Sequence, residues 1–192
     1  MESDLLSNVN IQTNDPYLLM LAWFFSFPTK AINLNEITKA LHISKTTANR
    51  TAKKLIKEKF LTLEVIGKTW QMRCNQHHEY NRTRKIAFNL MLTYETGIVE
   101  TINKKFGNTA SIILFGSYRK GDDNEKSDMD IAVELLHQKE LSIEPLGIIK
   151  QLGFRHNITI NLHVFSRKNI DTNLFANIAN GIVLDGFLEV SA

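Results

Sequence analysis

Two carboxylates separated by one residue are the clearest sign of chemistry in this sequence. Asp128 and Asp130 open an apolar run, residues 131–133, that is typical of a buried strand. Residues two apart on a strand project from the same face, with Cα atoms roughly 6.5 Å apart. Because converging carboxylates repel one another unless a cation lies between them, the pair predicts Mg²⁺, a hard ion that binds substrate phosphates.

A Gly-Ser step precedes these carboxylates by a loop of ten residues. Gly116 and Ser117 follow a second apolar run, residues 112–115, so the stretch predicts a strand, a loop and a strand. Glycine lets a backbone approach a phosphate closely, and the serine hydroxyl adds a donor. These residue types predict a phosphate-and-metal site. The alternative is an acidic surface loop between two strands.

The same residues resemble the signature of the nucleotidyltransferase superfamily of the DNA polymerase β type, in which Gly-Ser ends one strand and Asp-x-Asp opens the next. Ser127, Arg119 and Gly121 also fit its minimal branch. The resemblance covers residues 85–186 and implies Mg²⁺-dependent transfer of a nucleoside monophosphate, AMP in particular, from an NTP to a hydroxyl. The residues that it implies are the catalytic metal ligands Asp128 and Asp130 and the nucleotide-binding residues Gly116, Ser117, Arg119 and Lys120.

The resemblance also implies a third carboxylate, which holds a second metal and helps to deprotonate the acceptor hydroxyl. The matching position in this sequence is Asn161, and a neutral amide cannot act as that base. His163 and Glu134 are candidates to compensate, because the predicted strands place them on the same face as Asn161 and Asp130. Three interpretations stay open: an active transferase whose acceptor could be a protein, a nucleotide-binding regulator without turnover, and an interaction module with neither ligand.

Charge is unevenly distributed along the chain. Residues 30–73 contain ten Lys or Arg and three Glu, whereas residues 84–192 contain twelve Lys or Arg and thirteen Asp or Glu. A basic half joined to a near-neutral half predicts a module that faces a polyanion.

The basic half shows a sequence of predicted elements. Residues 16–25 predict a helix, Asn35 is expected to cap a second helix to residue 41, and Ser44 to cap a third helix to about residue 60. In the third helix, residues 48, 52, 55 and 56 form an apolar stripe. Residues 61–66 and 69–73 predict a hairpin that turns at Gly67-Lys68.

This order resembles a winged helix-turn-helix domain over residues 18–73. The resemblance implies that the helix after Ser44 enters the major groove of duplex DNA. The residues that would face DNA are Lys45, Thr46, Asn49, Arg50 and Lys53, with Lys68 on the wing. Protein contact or dimerisation through the same face is the alternative, and a homodimer stays open.

The C-terminal half predicts a long helix over residues 85–106, a helix from Ser142 to about residue 152, a strand over 158–165 and a closing helix over 169–186. The predicted fold class is therefore α+β, a winged helix-turn-helix followed by a nucleotidyltransferase fold with a small mixed sheet flanked by helices. The predicted divisions are a tail (1–15), the N-terminal domain (16–74), a linker (75–84) with an exposed His77-His78 pair, and the transferase domain (85–192).

Composition supports a soluble protein of the cytoplasm. The hydrophobic content of 43% suffices for a core in each half. The most apolar segment, residues 17–25, is far shorter than the roughly 20 residues that cross a bilayer, so no membrane partner is expected. Cys74 is the single cysteine, which predicts a structural thiol in a reducing compartment.

Overall fold

The computed structural model describes residues 6–67 and 69–190. Its N-terminal half combines three helices with a three-stranded antiparallel sheet in the order β1-β3-β2. The elements are α1 (Pro16–Ser26), β1 (Ile32–Asn33), α2 (Leu34–Leu41), α3 (Lys45–Lys57), β2 (Leu61–Ile66) and β3 (Thr69–Cys74). Among the described residues, no helix combines the length and the apolarity that crossing a membrane requires.

The helix caps of this half agree with the sequence only in part. Ser44 caps α3 by accepting a hydrogen bond from the Thr47 N–H at 3.1 Å, as predicted. For α2 the predicted cap, Asn35, is wrong: Asn33 accepts from the Asn35 and Glu36 N–H groups, and the Glu36 carboxylate accepts from the Asn33 N–H. This reciprocal capping box satisfies more free backbone donors than a cap at Asn35 would.

The predicted apolar stripe of α3 forms the centre of the N-terminal core. Ala48, Ala52 and Leu55 are fully buried, and Phe24 of α1 and Phe60 pack into the same cluster. Because this stripe faces inward, the polar side of α3 is left to solvent. The helix ends at Lys57, three residues earlier than predicted, since the chain turns there to enter β2.

The predicted linker is an ordered part of the fold. It contains a 3-10 turn, Glu79–Asn81, and the His78 ring lies 3.0 Å from the Glu58 carbonyl and edge-on to Tyr80. His77 is exposed, but the prediction that His78 is exposed is wrong. Beside this turn, burial raises the pKa of the Cys74 thiol to about 11, which keeps it protonated at neutral pH and agrees with a structural cysteine.

The long helix predicted over residues 85–106 is two helices, α4 (Arg84–Glu95) and α5 (Ile98–Phe106). Gly97 separates them with a φ of 72°, in the left-handed region that glycine adopts without strain. The buried face of α4 is largely polar. Its buried residues are Lys85, Asn89, Leu92 and Thr93, whereas Met91 and Tyr94 are exposed.

The C-terminal half is built on a five-stranded mixed sheet in the order β6-β7-β5-β4-β8. Only β5 and β7 pair in parallel; the other neighbours are antiparallel. The α+β class and the mixed sheet with helices are therefore confirmed. The elements are β4 (Ser111–Phe115), α6 (Gly116–Lys120), β5 (Met129–Glu134), β6 (Ser142–Leu152), β7 (Arg155–Phe165), α7 (Thr172–Ala179) and β8 (Ile182–Gly186).

Two predicted helices of this half are wrong in whole or in part. The segment that begins at Ser142 is strand β6, which forms a long antiparallel hairpin with β7 at the sheet edge. Pro145 is tolerated there because the ladder shifts at a bulge between Pro145 and Gly147, and an edge strand can lack one N–H donor. The closing helix is only α7, and the residues after it form β8 against β4.

The predicted N-terminal tail also belongs to the fold within the described residues. Val9 is buried in the C-terminal core and pairs with Leu152 at the end of β6. The two halves meet at Phe88 of α4, which packs against both cores and lies 5.8 Å from the Phe25 ring. A further contact joins the Thr29 hydroxyl to the Glu125 carboxylate.

Gly121 provides a test of how closely the two halves meet. It has a φ of 76°, and a Cβ there would overlap the Asn81 carbonyl of the 3-10 turn. We expect Gly121→Ala to lower the free energy of unfolding by about 2–4 kcal/mol, from backbone strain and overpacking together. Gly97→Ala is the matched control, because Gly97 shares the left-handed conformation, with φ 72° and ψ 22°, and a Cβ there would meet only the Glu100 carboxylate, at 3.9 Å; we expect about 1 kcal/mol. Equal losses in urea denaturation would contradict the close contact.

Candidate functional site

The Gly-Ser step lies directly against the second carboxylate. Phe115 ends β4, and Gly116 begins the single helical turn α6 with a φ of 68°. A Cβ on Gly116 would stand 2.7 Å from the Asp130 Oδ2 atom. Any other residue would therefore push the carboxylate aside. The fold thus brings the backbone at Gly116 into contact with the Asp130 carboxylate.

Strand register sets the surroundings of the carboxylates. Asp130 pairs with Phe115 on β4 and with Asn161 on β7. Its neighbours Met129 and Ile131 are fully buried in the core, whereas the Asp130 side chain is 31% exposed. Asp128 precedes the strand and is exposed. The position expected to carry a third carboxylate is thus next to Asp130, and an amide occupies it.

The two residues considered as substitutes for that carboxylate differ sharply. His163 Nε2 lies 3.4 Å from Asp130 Oδ1, its side chain is 14% exposed, and the Phe115 ring meets it edge-on. Its buried Nδ1 atom has no hydrogen-bond partner among the described residues. Glu134 shares the strand face but lies four residues along β5, roughly 13 Å from Asp130. The Glu134 carboxylate is buried and accepts hydrogen bonds from Ser111 Oγ and Arg167 Nε, so its proposed role is wrong.

The remaining predicted nucleotide-binding residues lie on α6. Ser117 and Arg119 are partly buried, and Lys120 is exposed. Lys120 lines a polar cleft of about 340 Å³ together with Arg82 and Asp122, at the junction of the two halves. The lining of this cleft includes neither the Gly-Ser step nor Asp128 and Asp130.

The donor set fits Mg²⁺ by chemistry. Carboxylate oxygens and an amide oxygen are hard ligands, and Mg²⁺ usually takes only one or two carboxylates while keeping waters and substrate phosphates. Within residues 6–67 and 69–190, no three His, Cys, Asp or Glu side chains form a group that could hold a metal ion. A metal here would therefore depend on phosphate oxygens for part of its coordination.

A buried network of charges lies behind the site, and sequence reasoning missed it. Lys85 Nζ lies 3.2 Å from Asp123 Oδ1, Asn89 donates to the same oxygen at 2.7 Å, and Arg155 Nη1 lies 3.7 Å from Asp123 Oδ2. Burial raises the pKa of the Asp123 carboxyl, and Lys85 opposes that shift. The available signal was the four-residue spacing of polar residues 85, 89 and 93 on a helix, beside the buried Leu92.

The polar face of α3 carries the residues predicted to face DNA. Lys45, Thr46, Arg50 and Lys53 are exposed, and Asn49 is partly buried. Lys45 and Asn49 line a second cleft, of about 300 Å³, with Trp70 of β3. Lys68 lies outside the described residues.

In a comparison with protein-family models, residues 96–175 match the nucleotidyltransferase domain. No curated protein matches the chain in a sequence search. The matched region runs from before α5 into α7, so it includes the Gly-Ser turn, both carboxylates, Asn161 and His163. Residues 96–175 are therefore similar to a nucleotidyltransferase domain.

Proposed function

We propose that the C-terminal half transfers a nucleoside monophosphate, AMP in particular, from an NTP to a hydroxyl acceptor, with Mg²⁺ held by Asp128 and Asp130. The observation that carries the proposal is the approach of the Gly116 backbone to Asp130, where a Cβ would stand only 2.7 Å from the carboxylate. This arrangement places the backbone proposed to bind phosphate directly beside a carboxylate proposed to bind the metal. The family match over residues 96–175 supports an NTP as the donor.

In the proposed reaction the residues of the chain bind and orient the triphosphate. Gly116 and Ser117 contact the β- and γ-phosphates, and Arg119 and Lys120 offset their charge. A bond forms between the acceptor oxygen and the α-phosphorus, the bond to pyrophosphate breaks, and the hydroxyl proton leaves to a base. When bound, Mg²⁺ neutralises the charge that develops on the leaving pyrophosphate.

Removal of the proton from the acceptor hydroxyl is the step for which this chain lacks the expected carboxylate. Asn161 lies beside Asp130 and can offer only an amide, which does not accept a proton at neutral pH. His163 is the remaining side chain beside Asp130 that can accept a proton, since its Nε2 lies 3.4 Å from the Asp130 carboxylate. We therefore propose that turnover is slow. The second candidate function is a regulator that binds nucleotide without turnover. The Asn161 amide supports it as well, because it does not replace the missing base.

Removing either carboxylate tests the metal site. We expect Asp128→Ala and Asp130→Ala each to abolish Mg²⁺-dependent NTP binding in calorimetric titrations, because a lone carboxylate holds Mg²⁺ weakly. Asp122→Ala is the matched control, since Asp122 is an exposed carboxylate in the same loop that the proposal does not use. Titrations of both site variants that match the control would refute the assignment.

Restoring the carboxylate tests the missing base. Positioned general-base catalysis contributes about 10²–10⁴-fold, so we expect Asn161→Asp to raise nucleotidyl transfer at least tenfold while nucleotide affinity changes little. Transfer is measured as NTP-dependent release of pyrophosphate. A brisk wild-type rate that Asn161→Asp leaves unchanged would instead assign the base to His163, and His163→Ala would then abolish transfer.

We propose that the N-terminal half binds duplex DNA through α3, as a winged helix-turn-helix domain does. The support is the charge of residues 30–73 and the exposure of Lys45, Arg50 and Lys53 on one side of α3. One observation favours the alternative, protein contact. Val65 and Ile66 at the end of β2 are each 59% exposed, and apolar side chains suit a protein partner better than phosphates.

Salt dependence separates these alternatives in the full chain. Four to six phosphate contacts should give a log–log slope of affinity against salt of about −4 to −5. We expect Lys45→Ala with Arg50→Ala to reduce the magnitude of this slope by about 2. The control with the same loss of charge is Lys139→Ala with Lys168→Ala, at exposed positions of the other half. No shift of any duplex at low salt would favour protein contact.

A further inference from the structure

Arg155 is a buried residue that contacts two segments of the candidate site, the one after the Gly-Ser step and the one before Asp128. Its Nη1 donates a hydrogen bond to the Tyr118 hydroxyl at 2.6 Å, and its Nη2 donates to the Ser127 carbonyl at 2.5 Å. Tyr118 immediately follows Ser117, and Ser127 immediately precedes Asp128. One buried guanidinium therefore joins the phosphate-binding turn to the first metal-binding carboxylate.

The guanidinium is fixed from several sides. Arg155 is the first residue of β7 and is buried, and its planar head lies 5.5 Å from the centre of the Tyr118 ring. Asp123 lies behind it and is held in turn by Lys85 and Asn89. Because a guanidinium presents its donors in a rigid fork, this arrangement sets a distance and not only a charge.

The end of the loop that Arg155 binds is a hydrogen-bonded turn between Asn124 and Ser127. The Ser127 N–H donates to the Asn124 carbonyl at 3.1 Å, and the Asn124 N–H donates to Ser127 Oγ at 3.0 Å. These two hydrogen bonds hold residues 124–127 in one turn, and Arg155 binds the Ser127 carbonyl of that turn. Movement of the turn would carry Asp128 with it.

We propose that Arg155 is a positioning residue, which holds the Gly116–Ser117 turn and Asp128 at the separation that a metal-bound triphosphate requires. The proposal rests on the proposed function of the site. It predicts that loss of Arg155 separates phosphate binding at the Gly-Ser turn from Mg²⁺ binding at Asp128, which act together in the wild type. Phosphates would still contact the Gly-Ser turn, but Mg²⁺ would no longer strengthen the binding.

Calorimetric titration of a non-hydrolysable ATP analogue, with and without Mg²⁺, tests this coupling. For Arg155→Gln and Arg155→Lys we expect the gain in affinity from Mg²⁺ to fall at least tenfold, while metal-free affinity changes less than threefold. Arg155→Lys keeps the charge but loses the fork. If it retained the full gain, charge rather than position would be the cause and the proposal would be overturned. Parallel losses with and without Mg²⁺ would also overturn it.

Hydrogen exchange measured without nucleotide gives an independent test. We expect peptides from residues 121–130 to exchange at least tenfold faster in both variants, while α3 peptides stay unchanged and report that the chain is folded. Tyr118→Phe, which removes one acceptor and keeps the ring, should give a smaller increase of the same kind and serves if both Arg155 variants unfold. Unchanged exchange in residues 121–130 would overturn the proposal. A wild type that binds no analogue would refute the proposed function and leave the exchange result to decide the role of Arg155.

Discussion

The register of three adjacent strands is the constraint on which the rest of this site depends. Phe115 of β4, Asp130 of β5 and Asn161 of β7 lie side by side across the sheet. Since strand side chains alternate between faces, a slip of one residue would bury Asp130 and expose Ile131. The fully buried side chains on the opposite face of β5 and β7 make such a slip costly. The hydrophobic core thus determines where the carboxylate lies, although it touches none of the chemistry.

The loop between α6 and β5 depends on a second interaction, a cluster of buried ion pairs. Lys85, Asp123 and Arg155 come from three separate parts of the chain and meet where water is excluded. Burying charges is unfavourable unless they pair and their remaining donors find acceptors. Here Lys85 Nζ and the two terminal nitrogens of Arg155 find the Asp123, Tyr118 and Ser127 oxygens, whereas the buried Arg155 Nε has no hydrogen-bond partner among the described residues. The paired donors favour one arrangement of the loop. An apolar cluster of similar volume would stabilise the loop without setting the direction of its ends.

The two halves of the chain are joined by packing as well as by sequence. Phe88 belongs to the contacts of both cores, and Gly121 of the site loop fits against the Asn81 carbonyl because it has no side chain. The Thr29–Glu125 contact adds a polar link between the same regions. The segment expected to be a linker is therefore a structural joint whose turn fits between the N-terminal core and the loop that leads to Asp128.

Local signals explain which features the sequence by itself determined. The two strands on either side of the site loop, the Ser44 cap, the stripe on α3 and strand β7 all follow from residues close together in the chain, where side-chain period and backbone conformation act directly. The short helix α6, where only a loop was predicted, does not. The mixed sheet and the place of Asn161 next to Asp130 were implied by the family resemblance, and two of the five strands, β6 and β8, were predicted as helices. These features account for the candidate metal and phosphate ligands.

Only the tertiary structure decided the rest, and in each case the reason is a partner distant in sequence. Residues 142–152 carry a serine and a proline suited to a helix start, but pairing with β7 makes them a strand. Glu134 is on the correct face but at the wrong end of β5, where Arg167 occupies it. Lys85 and Asp123 are 38 residues apart, and Arg155 lies in another strand. No local pattern links such residues, because their contact exists only after the sheet and α4 have packed together.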